Sequence, residues 1–304
     1  MNDSSQHAAP DKPAPAAAPE TAKAHGAEAL PELVRFDKVT KSFGAGPEAR
    51  IAIQDVSFEV RDLPDKGELV SVVGPSGCGK STVLRIIAGL RPHHPPTSGE
   101  ARVFGRAIEK PGADRGMVDQ KYSLMPHLTV LENIAFGLKL RGVEAAERRA
   151  RAREWAGKVG LEGTEEKYPS ELSGGMQQRV SIAATLILGA KILLMDEPFG
   201  ALDPKIRMQM QELLVQLWKE QQSTVFIVTH SVEEAIYLGD RVLRMAARPG
   251  RLVEILEVPR PDVPPEVMRK KPWFNRATQE LLHRLETDAP ASGELSGIEQ
   301  WRES

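Results

Sequence analysis

The sequence predicts an α/β fold built on a parallel sheet, and three apolar runs predict it. The first, Leu69–Val73, is followed by a glycine-rich stretch and then by helix-forming residues. The second, residues 192–195, ends in Asp196 and Glu197 and leads into another helical pattern. The third, Thr224–Val228, is followed by Ser231-Val232-Glu233-Glu234, a capping-box sequence that opens a helix. Short runs without alternation are the mark of strands buried on both faces of a parallel sheet.

Taken in order, residues 1–30 are rich in Ala, Pro and charge and almost free of large apolar side chains. Such a segment cannot bury enough surface to offset its ordering entropy, so a disordered tail is expected. Order is expected from Leu33. Val56, Phe58 and Val60 alternate with Ser57, Glu59 and Arg61, the period of a half-buried strand. A helix is expected over residues 80–90. Between about residues 121 and 180 strand signals give way to helical ones, which predicts a helical subdomain inserted into the α/β core. Within it, residues 144–159 interleave Arg with Glu, as a solvated helix face does and a nucleic-acid patch does not. Asp203 is placed to cap a helix with Pro204 at its first position, and Ile206, Met210, Leu213, Leu214 and Leu217 form its apolar stripe. Residues 241–245 close the α/β pattern. An extension over residues 251–304 begins proline-rich and carries an amphipathic helix near residues 274–285.

With 304 residues the chain holds one large domain or two modest ones. A formal net charge of −2 gives no bulk attraction to nucleic acid or acidic lipid. The single cysteine, Cys78, excludes an internal disulfide and offers no metal-site spacing; a reducing cytosol is compatible. No apolar run reaches the ~18 to 20 residues that span a membrane, since residues 182–195 are broken by Gly189 and Lys191. The N-terminus lacks the basic start and apolar core of a secretory signal. A membrane role is therefore expected only through a partner.

Gly74-Pro75-Ser76-Gly77-Cys78-Gly79-Lys80-Ser81, followed by Thr82, matches G-x-x-x-x-G-K-[ST] in full, between a predicted strand and a predicted helix. Glycines let backbone N–H groups wrap phosphates, and the helix start adds its positive end. Lys80 is expected to reach the β- and γ-phosphates of a nucleotide and the Ser81 hydroxyl to ligate Mg²⁺. Cys78 reads as a small filler inside the loop. Asp196 and Glu197 end a buried strand, where side chains meet the ligand crevice. Asp196 suits an acid that holds Mg²⁺ and Glu197 one that polarises the attacking water. His230, after the strand Thr224–Val228, is placed to sense a γ-phosphate. Leu172-Ser173-Gly174-Gly175-Met176 stands where a second helix begins, just upstream of the acidic strand, and implies a nucleotide shared between two subunits.

With these motifs in this order, the chain resembles the nucleotide-binding subunits of ATP-binding cassette (ABC) transporters, over about residues 34–250. The resemblance implies a P-loop NTPase (RecA-like) core with an antiparallel β subdomain and the inserted helical subdomain. It makes residues 74–81 the Walker A loop, residues 192–196 the Walker B strand and Glu197 the catalytic glutamate. Gln120 becomes the Q-loop glutamine that reaches Mg²⁺ and the water. Ser173, Gly174 and Gly175 become the signature that closes on the partner's ATP, Ala201-Leu202-Asp203 the D-loop, and His230 the switch histidine. Phe43 falls where the family stacks an aromatic on adenine; the bland alternative is a core aromatic. Two residues depart from the family pattern. Asp119 stands before Gln120 in place of an aromatic or apolar residue, where it either repels phosphates or makes a local salt bridge, with Lys121 the near candidate. Ser231 follows His230 in place of aspartate and caps a helix equally well.

Pro111-Gly112-Ala113-Asp114-Arg115-Gly116-Met117-Val118, the LSGGM signature and Arg248-Pro249-Gly250-Arg251 resemble importers of the nitrate, sulfonate and taurine group. That implies a homodimer at the cytoplasmic face of the inner membrane, peripheral to two copies of a permease and served by an extracytoplasmic solute-binding protein. The segment after Gln120, through Met125-Pro126-His127-Leu128, would receive a permease helix. Alternatives are the ATPase of an exporter or lipoprotein-release complex, and a soluble non-transport ABC ATPase. The latter fits less well, because the chain is not basic, has no heptad run between the Walker motifs and carries each motif once. A nucleotide-sensing regulator fits poorly with Glu197 and His230 both present.

Overall fold

The computed structural model describes residues 30–63, 66–120, 123–200, 202–258 and 263–287. The tail expected to be disordered thus lies outside the described residues except for its last position, as do Lys121, Ala201 and the end of the C-terminal extension.

The chain opens with two long antiparallel strands, β1 (Glu32–Phe43) and β2 (Arg50–Arg61). The predicted alternation holds in β2: Val56, Phe58 and Val60 are buried while Ser57 and Arg61 are exposed. Phe36 and Phe58 face each other across the pair, with rings stacked at 4.7 Å. β3 (Leu69–Val73) then enters a second sheet, followed by α1 (Lys80–Ala88). This helix stops two residues sooner than the apolar pattern suggests. Gly89 caps it at φ +73°, and a side chain there would meet the Lys110 backbone at 2.6 Å. The hairpin β4 (Ser98–Val103) and β5 (Arg106–Ala107) returns to β1, giving an antiparallel sheet in the order β2-β1-β4-β5.

After β6 (Arg115–Val118) come three helices, α2 (Val130–Leu140), α3 (Ala145–Lys158) and α4 (Gly174–Leu186), which pack on one another. Thr129 and Glu132 close a full capping box on α2, an arrangement whose cap alone contributes ~1 kcal/mol. α3 buries Ala152, Trp155 and Ala156 and leaves its charges in exposed pairs such as Arg151–Glu147 and Lys158–Glu154. Its Arg/Glu pattern is indeed a solvated face.

The chain then alternates β7 (Ile192–Asp196), α5 (Pro204–Gln221), β8 (Thr224–Val228), α6 (Val232–Leu238) and β9 (Arg241–Ala246). All five residues of β3, β7 and β8 are buried. The stripe of α5 points inward at Met210, Leu214 and Leu217, with Ile206 and Leu213 partly buried. The second sheet runs β10-β9-β3-β8-β7-β6, parallel throughout except for β10 (Arg251–Glu257), an antiparallel edge.

β10 corrects the reading that ended the α/β pattern at residue 245. A half-buried edge strand interleaves Arg251, Glu254 and Glu257 with Leu252 and Ile255, so it offers no continuous apolar run. One of its charges is recruited inward. Arg244 is 1% exposed, donates from Nε to Glu254 Oε2 at 3.0 Å and from Nη1 to the Arg284 carbonyl at 3.0 Å. After the short α7 (Pro265–Met268), α8 (Pro272–Thr287) packs on α6 and places Phe274, Ala277 and Leu281 in the core shared with Ile236 and Tyr237.

Candidate nucleotide site

The register of the parallel sheet brings the motifs together. Val118 pairs with Met195, Asp196 with Val228, and Val228 with Val72. The residues that follow, Asp119-Gln120, Glu197, Thr229-His230 and the loop from Gly74, therefore leave adjacent strands at one carboxyl edge. That edge is where open α/β sheets bind ligands. A cleft of about 480 Å³ lies there, lined by Phe43, Arg50, Ala52, Ser76, Gly77, Gly79, Lys80, Ser81, Thr82 and Glu197.

The loop's shape depends on its glycines. Gly79 has φ +90°, and a Cβ there would stand 2.3 Å from Ile53 Cγ2 and 2.8 Å from the Ala52 carbonyl, so the loop rests on β2 with no room for a side chain. Lys80, 7% exposed, donates to the carbonyls of Gly74 at 2.8 Å and Pro75 at 3.1 Å. Its ammonium is thus held within the loop, and a phosphate would offer it stronger, charge-assisted bonds. Cys78 is fully buried; burial pushes its thiol up, and the nearby Lys80 only partly opposes this. Its burial fits the small filler expected from the sequence.

Ser81 Oγ donates to Asp196 Oδ1 at 2.8 Å, and Arg85 Nη2 lies 3.4 Å from Asp196 Oδ2. Burial raises the Asp196 carboxyl pKa; Ser81 and Arg85 pull it back, while the charges of Asp119 and Glu197 add to the rise. Gln120 Nε2 donates to Glu197 Oε2 at 2.8 Å, and His230 Nδ1 lies 3.5 Å from the same oxygen. Glu197 itself has φ +48°, a left-handed conformation that costs an L residue ~1 to 3 kcal/mol and concentrates at functional sites.

His230 stands on a built support. The buried Glu234 accepts from Thr229 Oγ1 and from Gln211 Nε2 of α5, the latter at 3.3 Å, and the Ser231 N–H donates to Thr229 Oγ1 at 3.0 Å. The expected capping box is therefore half formed. Ser231 accepts from the Glu234 N–H at 3.3 Å, but the Glu234 side chain turns to Thr229 and Gln211 instead of returning to the cap. Burial raises the Glu234 carboxyl pKa, countered by those two hydrogen bonds.

Phe43 ends β1 beside the cleft, edge-on to His93 at 5.2 Å and with Lys41 Nζ 5.5 Å from its ring centre; it is a cleft residue, not a core aromatic. Its cross-strand partner is Arg50, which motif reading missed because it belongs to no motif. The signal was spatial: an antiparallel pair puts residue 50 opposite residue 43, and Arg50 Nη2 comes within 3.8 Å of where a Gly77 Cβ would stand. Arg85 was missed likewise. It pairs with Asp119 at 3.2 Å, so the local salt bridge open to Asp119 is made with Arg85.

Ser173, Gly174, Gly175 and Asp203 are not brought to this cleft within the chain. Ser173 caps α4, accepting from the Met176 N–H, and Ser173 and Gly174 are exposed. Asp203 is an exposed cap of α5, accepting from the N–H groups of Lys205 and Ile206 at 3.1 Å each, with Pro204 at the first position as expected.

The family model for ABC transporters matches residues 53–200. An ABC transporter ATP-binding protein of Methanocaldococcus jannaschii is 48% identical over 225 residues, covering 74% of this chain and 82% of that one. The chain belongs to the ABC transporter family. It is an ABC ATPase, with ATP as its nucleotide and a P-loop NTPase core carrying antiparallel and helical additions. The taurine import ATP-binding protein of Rhizobium johnstonii is 53% identical, covering 66% of this chain and 74% of its own length. The nitrate import ATP-binding protein of Synechocystis is 42% identical, covering 80% and 93%. Among solved structures, a dimeric ATP-binding cassette in a post-hydrolysis state with ADP and Pi aligns with a TM-score of 0.66 at 34% identity, covering 74% of this chain and 99% of that one. No helix among the described residues is long and apolar enough to cross a membrane.

Proposed function

We propose that this ABC ATPase powers an importer of a small anion of the nitrate, sulfonate or taurine kind, working as a homodimer on the cytoplasmic side of a separate permease. The observation that carries the ATPase half is the chain of contacts Gln120–Glu197–His230 set beside the Lys80–Ser81–Asp196 cluster. The importer half is favoured by relatives at 42 to 53% identity that are themselves named for taurine and nitrate import.

In this reading the loop N–H groups, Lys80 and the start of α1 bind the phosphates, and Phe43 stacks on the base. Glu197 accepts a proton from the attacking water, oriented by Gln120 and His230. Ser173, Gly174 and Gly175 present the N-terminus of α4 to the γ-phosphate held by the other copy. The hydroxyl, carboxylate and amide oxygens of Ser81, Asp196 and Gln120 are the donors a hard cation prefers, and they fit Mg²⁺. Bound there, Mg²⁺ would supply positive charge against the phosphates.

Arg50 adds a cation at the cleft's other wall. Arg50→Ala is expected to weaken ATP binding by about three- to tenfold, the range for one exposed charge-assisted contact, and to leave turnover at saturating ATP close to normal. Equilibrium binding beside a Michaelis curve checks this; a loss confined to turnover would place Arg50 outside the phosphate contacts.

The importer reading is tested by affinity purification from the native membrane. A polytopic permease should be recovered, and transport assays with that complex should show uptake driven by ATP. Recovery with ribosomes or DNA, or export by the complex, would replace it with one of the alternatives.

A further inference from the structure

Arg85 and Asp119 belong to none of the motifs, yet their contacts join two of them. Ser81 and Arg85 are four residues apart on α1 and so share a face. Both reach Asp196, Ser81 at Oδ1 and Arg85 at Oδ2. The same guanidinium nitrogen, Nη2, lies 3.4 Å from Asp196 and 3.2 Å from Asp119. It thus serves two carboxylates at the ends of neighbouring parallel strands, one side chain 3% exposed and the other 36% exposed. Asp119 immediately precedes Gln120, whose amide is bonded to Glu197.

We propose that Asp119 is a positioning residue that acts through Arg85. When a divalent cation engages Asp196, Arg85 transfers wholly to Asp119. The transfer removes a competing positive charge from Asp196 and fastens the backbone just ahead of Gln120. The physical reason is charge exclusion: a guanidinium and a divalent cation on one carboxylate repel at short range. Because Asp119 is already in contact, Arg85 needs only a small shift to leave Asp196, keeping one of its two partners as it gives up the other. An apolar side chain at position 119 would give it nowhere to go. The idea rests on the reading of Asp196 as the cation-holding acid.

The test follows binding of a fluorescent ATP analogue to the full-length chain while Mg²⁺ is titrated, so turnover is not the readout. Asp119→Asn is expected to raise the half-saturating Mg²⁺ concentration roughly three- to fivefold, the scale of a partly exposed ion pair. Its affinity for the analogue without Mg²⁺ should stay near that of the wild type, and Asp119→Glu should restore most of the Mg²⁺ response. Arg85→Gln removes the competing charge, so adding Asp119→Asn in that background should produce no further shift. If Arg85→Gln fails to fold, Arg85→Met carries the same comparison. A shift of equal size in both backgrounds would mean that Asp119 acts only as a fixed negative charge and would overturn the proposal. No shift in the otherwise wild-type chain would overturn it too. If wild-type binding proves indifferent to Mg²⁺ altogether, the reading of Asp196 falls and takes the proposal with it.

Discussion

Glu197→Gln is expected to bind ATP as the wild type does, to lose about 10² to 10⁴ of its turnover, the usual contribution of a positioned general base, and to accumulate an ATP-bound dimer. The substitution preserves shape. A glutamine at this position still offers Gln120 an oxygen to donate to, in place of the carboxylate oxygen now bonded at 2.8 Å. What it loses is the ability to take a proton from water. Phosphate release in a single turnover, measured beside size-exclusion chromatography with ATP, separates the two properties. Undiminished release would remove Glu197 from the role, and the proton acceptor would have to be sought elsewhere at the same edge.

The second large effect is restoration, not loss. Ser173 and Lys80 lie on separate elements, Ser173 exposed at the cap of α4 and Lys80 buried in the phosphate loop. If each site is composed of one copy's loop and the other copy's Ser173, then Ser173→Arg and Lys80→Ala homodimers are both inactive. A mixed dimer regains one intact site, because the intact loop faces the intact signature. Equal mixing of a two-fold dimer makes about half of the dimers mixed, so about one quarter of wild-type activity should return. Confirmed heterodimers that remain inert would show that Ser173 acts within its own chain or not at all.

Much of this site was legible in the chain because its chemistry is local. Residues 74–81 announce their role through spacing, and the runs at residues 192–195 and Thr224–Val228 announce strands buried on both faces. The order of these runs along the chain placed Asp196, Glu197 and His230 at strand ends, where the sheet register brings them together. Two kinds of feature stayed hidden. β10 was missed because an edge strand needs only one apolar face, and its charged residues dilute the signal. Arg50, Arg85 and the tertiary partners of Glu234 were missed because they depend on contacts far along the chain or across a sheet. Arg50 faces Phe43, Arg85 meets Asp119, and Glu234 meets Gln211. The half-formed capping box shows the same limit: the local pattern foresaw the cap, while tertiary partners claimed the glutamate.

The resting arrangement of Glu197 has a consequence for an ATPase surrounded by its fuel. One carboxylate oxygen is bonded to Gln120 and close to His230, and the residue is held in a left-handed backbone conformation. If Glu197 is the base proposed above, this engagement would act as a safety catch: Gln120 would have to turn from that oxygen toward the water before the oxygen could take its proton. Gln120 leads directly into the segment expected to meet the permease. On that reading, a subunit with no permease attached would spend ATP slowly, and whatever moves that segment would set the pace.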